Sequence, residues 1–158
     1  MKVSNNSILA LCTVVLAVLA FMSVYGTIRF QTVREQRETA VKQRLVRIRA
    51  AEEAFRKRTG TYSNSFATLV KGGYLADSLQ YIPFADGKRF ELNTSVQLLK
   101  SGREIPLMEC SAGYHDYLKG MDENAVSNLI QEANESGAFP GLRIGDITTP
   151  NNNEGNWE

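Results

Sequence analysis

The chain has little of what most soluble enzymes are built on. Its 158 residues contain one histidine, His115, so a metal site made of several imidazoles within one chain is excluded. There are two cysteines, Cys12 and Cys110, and they lie in regions of opposite polarity; no disulfide framework or metal-binding spacing follows from them. The formal net charge is +1, so bulk electrostatics select no class of partner. Most telling, no Asp, Glu, Lys or Arg occurs between Val3 and Ile28.

That uncharged stretch is apolar almost throughout from Ile8 to Tyr25. A helix needs about 20 such residues to cross a hydrocarbon layer of ~30 Å, and the run reaches that length at Ile28. Its apolar residues lie on all sides rather than on one stripe, so the spacing predicts lipid surroundings, with Ile8, Leu11, Val15, Leu19 and Phe21 as anchor residues. Tyr25 and Phe30 fall where interfacial aromatics sit, and Arg29 returns charge to water. A cleaved signal peptide, with small-residue exits at Ala20 or Gly26, is the competing reading. A lipoprotein cysteine at Cys12 would have Leu11 where a small residue belongs, so Cys12 reads as a small hydrophobe of the anchor.

After the anchor the apolar period changes. Phe30, Val33, Ala40, Val41, Leu45, Ile48, Ala51 and Phe55 recur at three- and four-residue steps, and no Gly or Pro interrupts 28–58. The expected element is a basic amphipathic helix over 29–59. Glu38–Lys42, Glu52–Arg56 and Glu53–Lys57 fall in the favourable i,i+4 order, and Gly60 is the stop. The stripe of Val41, Leu45, Ile48 and Phe55 is expected to pack, coiled-coil fashion, on a second copy or on another membrane protein. Arg29, Arg34, Arg37, Lys42, Arg44, Arg47 and Arg49 form either a solvated, salt-bridged face or a contact with anionic lipid. Specific nucleic-acid binding is not expected, since no recognition module accompanies the charge.

Residues 60–147 read as a small α+β domain. Ser63 or Asn64 is expected to cap a short helix carrying Phe66, Leu69 and Val70, ended by Gly72–Gly73. A turn over Phe84–Lys88 precedes three expected strands, 88–93, 95–100 and 104–111, with a hairpin through Ser101–Gly102–Arg103 and with Pro106 marking a sheet edge. Tyr114 to Met121 suggests a helical turn. Asp122 caps a helix with the stripe Val126, Leu129, Ile130 and Ala133, and Leu142–Ile147 is a last strand. The end, 148–158, is an Asn-rich tail with turn chemistry, in which Trp157 is a candidate docking residue for the domain or for a partner.

Catalytic and cofactor-binding residues are not expected, nor is a metal. Cys110 with His115 is the best nucleophile and base pair on offer, and His115 between Tyr114 and Tyr117 reads as structural. The organisation is therefore a short N-terminal tail (1–7), a single-pass signal-anchor helix (8–28), the basic helix (29–59), the α+β domain (60–147) and the tail (148–158).

This layout, with Arg47 to Tyr62 and Phe66 to Leu75, resembles the type IV pilin and type II secretion pseudopilin family. The resemblance implies a long N-terminal helix with a small antiparallel sheet packed on its upper half, and a non-catalytic subunit that assembles in the bacterial envelope. It stops short of the prepilin cleavage motif, for no Gly precedes Gly26 and no acidic residue lies in the span. The chain as a whole also looks similar to bacterial single-pass membrane proteins, which implies an envelope setting and supplies no activity. A membrane-tethered protein-binding module is the alternative function. Orientation stays open: Lys2 on one side against six basic residues within about 20 positions on the other favours a cytoplasmic domain, whereas the pilin resemblance implies a periplasmic one.

Overall fold

The structure, a computed structural model, describes residues 5–100 and 102–158; the side chains of residues 5, 7, 22–24 and 27 lie outside the description. Ser101 of the expected hairpin and most of the 1–7 tail are outside it too. The fold is α+β, a long N-terminal helix followed by a small three-stranded antiparallel sheet with short helices. The chain divides into two compact units, Met1–Glu35 and Gln36–Glu158.

The first helix, α1, runs from Asn5 to Thr59 and ends where the sequence places its stop. Gly60 adopts φ +86, a backbone open to glycine at no steric cost, and its N–H closes the last turn on the Arg56 carbonyl at 2.8 Å. Arg56, Lys57 and Arg58 line the last turn, at the negative end of the helix dipole.

Within the second unit, Val41, Leu45 and Ile48 are completely buried. Their stripe is therefore covered by the chain's own domain rather than left for another helix. Phe55 is half-buried and meets the Tyr74 ring edge-on at 5.6 Å. The period 41, 45, 48 continues to Glu52, which is also fully buried. This corrects the expected Glu52–Arg56 pair, since the helical phase that hides Ile48 carries Glu52 into the core. Glu38 and Lys42 do pair, at 3.8 Å.

The short helix α2 spans Phe66–Lys71, with Phe66 and Leu69 buried. Its N-cap is Ser65, which makes no side-chain cap bond; Ser63 Oγ instead accepts from Ser65 N at 3.2 Å. The expected cap at Ser63 or Asn64 is displaced: the Ser63 hydroxyl is spent on the Ser65 backbone, donating to its carbonyl at 3.0 Å as well as accepting from its N–H.

Strand β1, Glu91–Leu98, pairs with β2, Glu104–Gly113, across the expected hairpin, in which Gly102 has φ +80. The two strands expected over 88–93 and 95–100 are one. Leu92, Thr94, Val96 and Leu98 keep a single two-residue phase, and no turn-forming pair breaks it. Helix α3 (Tyr114–Tyr117) and helix α4 (Glu123–Glu135) follow, the latter capped by Asp122, which accepts from Ala125 N at 2.8 Å. Strand β3, Gly141–Gly145, closes the sheet in the order β1-β2-β3.

Pro106 thus lies on the central strand and not on an outer one. Since β3 reaches only Glu109–Gly113, Pro106 has a single neighbouring strand, and its missing N–H is tolerated. Met108, Cys110 and Ile144 are completely buried on one face of the sheet, together with the α1 stripe. Gly141 and Gly145 let β3 come close to β2, because a Cβ at either would stand about 2 Å from a β2 carbonyl oxygen.

The tail is ordered against this core. Asn152 and Asn153 take left-handed φ of 56 and 58, a conformation that Asn accepts more readily than most residues. This turn sends residues 154–156 along β3, with Gly145 N donating to the Glu154 carbonyl and Asn156 N to that of Arg143, both at 3.0 Å.

Candidate functional site

The basic residues of α1 find partners that sequence spacing does not reveal. Arg37 donates to the carbonyls of Tyr117 (3.0 Å) and Lys119 (2.8 Å), at the end of α3. Arg44 donates to those of Ser78 and Tyr81, at the end of a 3-10 turn over Asp77–Gln80. Arg49 bonds the Asn153 carbonyl at 3.1 Å and clasps the Glu158 carboxylate through both nitrogens at 2.8 and 3.1 Å. Arg56 donates to the Tyr62 hydroxyl at 2.9 Å. The planar fork of arginine suits this work, since two of these sites are helix ends with carbonyls lacking intrahelical donors. Three members of the expected solvated cluster, Arg37, Arg44 and Arg49, are therefore straps that hold the domain to its helix.

Trp157 belongs to the same arrangement. Its ring is half-buried, and the Lys42 ammonium sits over it at 5.7 Å. Asn153 Nδ2 donates to the Tyr62 hydroxyl at 2.7 Å. The C-terminal residues are spent on the domain itself.

Among the described residues, Glu52 is the one buried carboxylate of α1. Oε2 accepts from Ser63 N at 2.8 Å, and Oε1 has no partner among the described residues. Burial raises its pKa to about 7, against the smaller lowering by the Ser63 bond. The signal was present in the sequence, as the acid lies four residues beyond Ile48, on the same helical stripe.

The Cys110 and His115 pair does not form. Cys110 is fully buried, and its thiol is pushed well up, first by burial and then by the Glu52 charge, so thiolate is withheld. His115 is exposed, with Nε2 2.9 Å from Asp116 Oδ1. The same oxygen receives Lys88 Nζ at 2.7 Å. This cluster borders a cleft of about 230 Å³ that Ile82, Ser111, Ile130 and Phe139 also line. Among the described residues no hydrogen bond joins His115 to Ser111 or Cys110, and no group of three His, Cys, Asp or Glu is placed to hold a metal. Three larger clefts, one lined by Lys42, Leu79 and Phe84, one by Tyr62, Pro106 and Asn153, and one by Ala51, Gly73 and Leu75, contain neither Cys nor His among their lining residues.

What stands out chemically is the first unit. Every described side chain from Ile8 to Arg29 is exposed, including Leu11 (65%), Leu19 (57%) and Phe21 (73%). At least ten aliphatic or Phe side chains are uncovered there. Moving them out of water is worth on the order of 20 kcal/mol, more than the ~5–15 kcal/mol that holds a typical domain folded. Among the described residues, no helix is long and apolar enough to cross a membrane; Met22, Ser23, Val24 and Thr27, which belong to the apolar run, have side chains outside the description. No family model matches the chain, nor does any curated protein or solved structure.

Proposed function

We propose that the chain is a membrane-anchored, non-catalytic structural or assembly subunit of a bacterial envelope complex, with residues 8–28 in the lipid. The observation that carries this reading is the first unit's uncovered apolar surface. Its charge-free sequence from Val3 to Ile28 has the length of a bilayer crossing, and the energy of covering it exceeds the stability of an ordinary domain. The envelope setting rests on the resemblance to type IV pilins and pseudopilins.

The strapped domain supports the same reading. With Arg37, Arg44, Arg49 and Arg56 fixing loops and tail to α1, the second unit is a rigid load on its helix rather than a site built to close on a substrate. Since Val41, Leu45 and Ile48 are used within the chain, association runs through the stretch before Gln36. The adaptor reading is less favoured, because Trp157 is already engaged by Lys42.

Sedimentation of the full-length protein in mild detergent over a range of concentrations tests assembly. Species larger than a monomer are expected, and they are expected to weaken when Leu11, Val15 and Leu19 are replaced by Ala, which removes packing surface without adding a hydrogen-bonding group. A monomer at every concentration would overturn the assembly role.

A further inference from the structure

The loop from Ile82 to Lys88 holds an aromatic ring where the backbone resists it. Ile82 N donates to the Lys88 carbonyl at 2.8 Å and Lys88 N to that of Ala85 at 2.9 Å, so the turn is closed on itself. Pro83 and Ala85 are buried, and between them Phe84 takes φ +62, a left-handed conformation that a bulky residue rarely adopts. The ring is turned out as a result. At 53% exposure, Phe84 is the one exposed aromatic among the described residues of 36–158. Backbone strain kept for an uncovered ring is the mark of a contact outside the domain.

The position of the ring in the second unit identifies that contact. The Arg37 guanidinium stands over it at 5.0 Å and also gathers the carbonyls of Tyr117 and Lys119. Lys119 in turn pairs with Asp86 at 2.8 Å. Two turns, 82–88 and 117–121, are thus drawn together at Arg37, the second residue of that unit and only nine residues after Ile28, where the apolar run ends. Nine residues of helix rise ~13 Å, and the headgroup layer takes up about 5–7 Å of that. Side chains on a helix lean toward its N-terminus, which brings the Arg37 guanidinium and the ring beneath it a few ångströms nearer the lipid. A lean of α1 by ~20°, the average for a membrane-crossing helix, closes the rest.

We propose that Phe84, with the turn 117–121 beside it, rests in the headgroup layer of the membrane that holds the anchor. The contact rests on the anchored reading and adds a second point of attachment to it. The acids of this face are already matched, Asp86 by Lys119 and Asp116 by Lys88 and His115, so net charge does not drive the contact and zwitterionic lipid suffices. An aromatic ring beside a cation suits the boundary between headgroups and acyl chains. Contact at Phe84 fixes the direction in which α1 leans.

The test uses the full chain with Cys12→Ser, reconstituted in phosphatidylcholine vesicles that carry a nickel-chelating lipid, with flotation measured alongside. A nitroxide is attached at Phe84→Cys or at Leu98→Cys, and Cys110, being completely buried, takes no label. Leu98 is a matched control, apolar and 68% exposed. It lies opposite Glu104, next to Ile105, which shares a cleft with Lys57 and Gly60 at the far end of α1. Collisions with headgroup nickel are expected at least about threefold more often at 84 than at 98, because the chelated ion is confined to the headgroup layer. Dissolved nickel is expected to favour 98. Phe84→Asn, which keeps the left-handed turn, is expected to lower headgroup collisions of a label at Met121→Cys to the level at 98. An unchanged signal at 121 would overturn Phe84 as the contact. Equal headgroup collisions at 84 and 98 on floating vesicles overturn the docking and leave the anchor standing. A label at 84 shielded from both forms of nickel would place protein over the ring and overturn the lipid contact. Failure to float overturns the anchor, and the docking with it.

Discussion

Between Ile8 and Ile28, the described side chains of α1 are turned outward on every side, whereas from Val41 to Glu52 it hides one stripe and gives much of its other faces to Lys42, Gln43, Arg44, Arg47 and Arg49. The two stretches share a helix and little else. In the second, a domain supplies the cover, and the side chains show a period. In the first, the chain supplies no cover and the apolar residues show none. Periodicity in a helix is thus a record of what lies beside it: a one-sided neighbour leaves a stripe, and a neighbour on all sides leaves none.

The same substitution made in both stretches should break or confirm this contrast. Leu45→Ala removes a completely buried side chain, and about 2–5 kcal/mol of domain stability is expected to go with it in urea unfolding. Leu11→Ala is expected to leave that transition where it is, within about 0.5 kcal/mol. Equal losses at both positions would mean that the domain, and not lipid, covers Leu11.

A smaller effect sharpens the picture of the covered stretch. The Glu52 carboxyl, raised to about 7 by burial, keeps its proton in the folded protein over a range where the unfolded chain has already ionised. The folded state then binds more protons than the unfolded one, so stability falls as pH rises from about 4.5 to 7 and levels off above. Glu52→Gln removes that slope. It is expected to stabilise the domain by about 2 kcal/mol at pH 8 and to have little effect at pH 4. Unfolding at the two pH values checks it, and a variant that is weaker at pH 8 would show that the carboxylate is held by a favourable partner.

Much of the architecture was legible where the signal is local. Gly60 ends α1, Asp122 caps α4, Gly102 turns the hairpin and Phe84–Lys88 makes its turn, each through a residue whose own backbone or side chain does the work. Glu52 and the single strand β1 could have been read from local phase; the other misreadings share a non-local cause. Nothing near Pro106 announces that β3 returns to β2 from a distant part of the sequence, or that it stops short of Pro106. Nothing near Asn153 announces Tyr62. The arginines of α1 look alike in sequence, and only the loops that meet Arg37, Arg44 and Arg49 make them straps. As for the candidate site, the apolar run was plain from composition, because it needs no partner elsewhere in the chain to be recognised.

The contrast between the two stretches is tested most directly by a spin-label scan along α1, residues 8–58, in lipid vesicles. Collision with oxygen, which concentrates in lipid, is compared with collision with a water-soluble nickel complex. The expected result is high oxygen and low nickel exposure at every position from 8 to 28, then from residue 36 a helical period with joint minima at 41, 45, 48 and 52. Nickel access throughout 8–28 would contradict it.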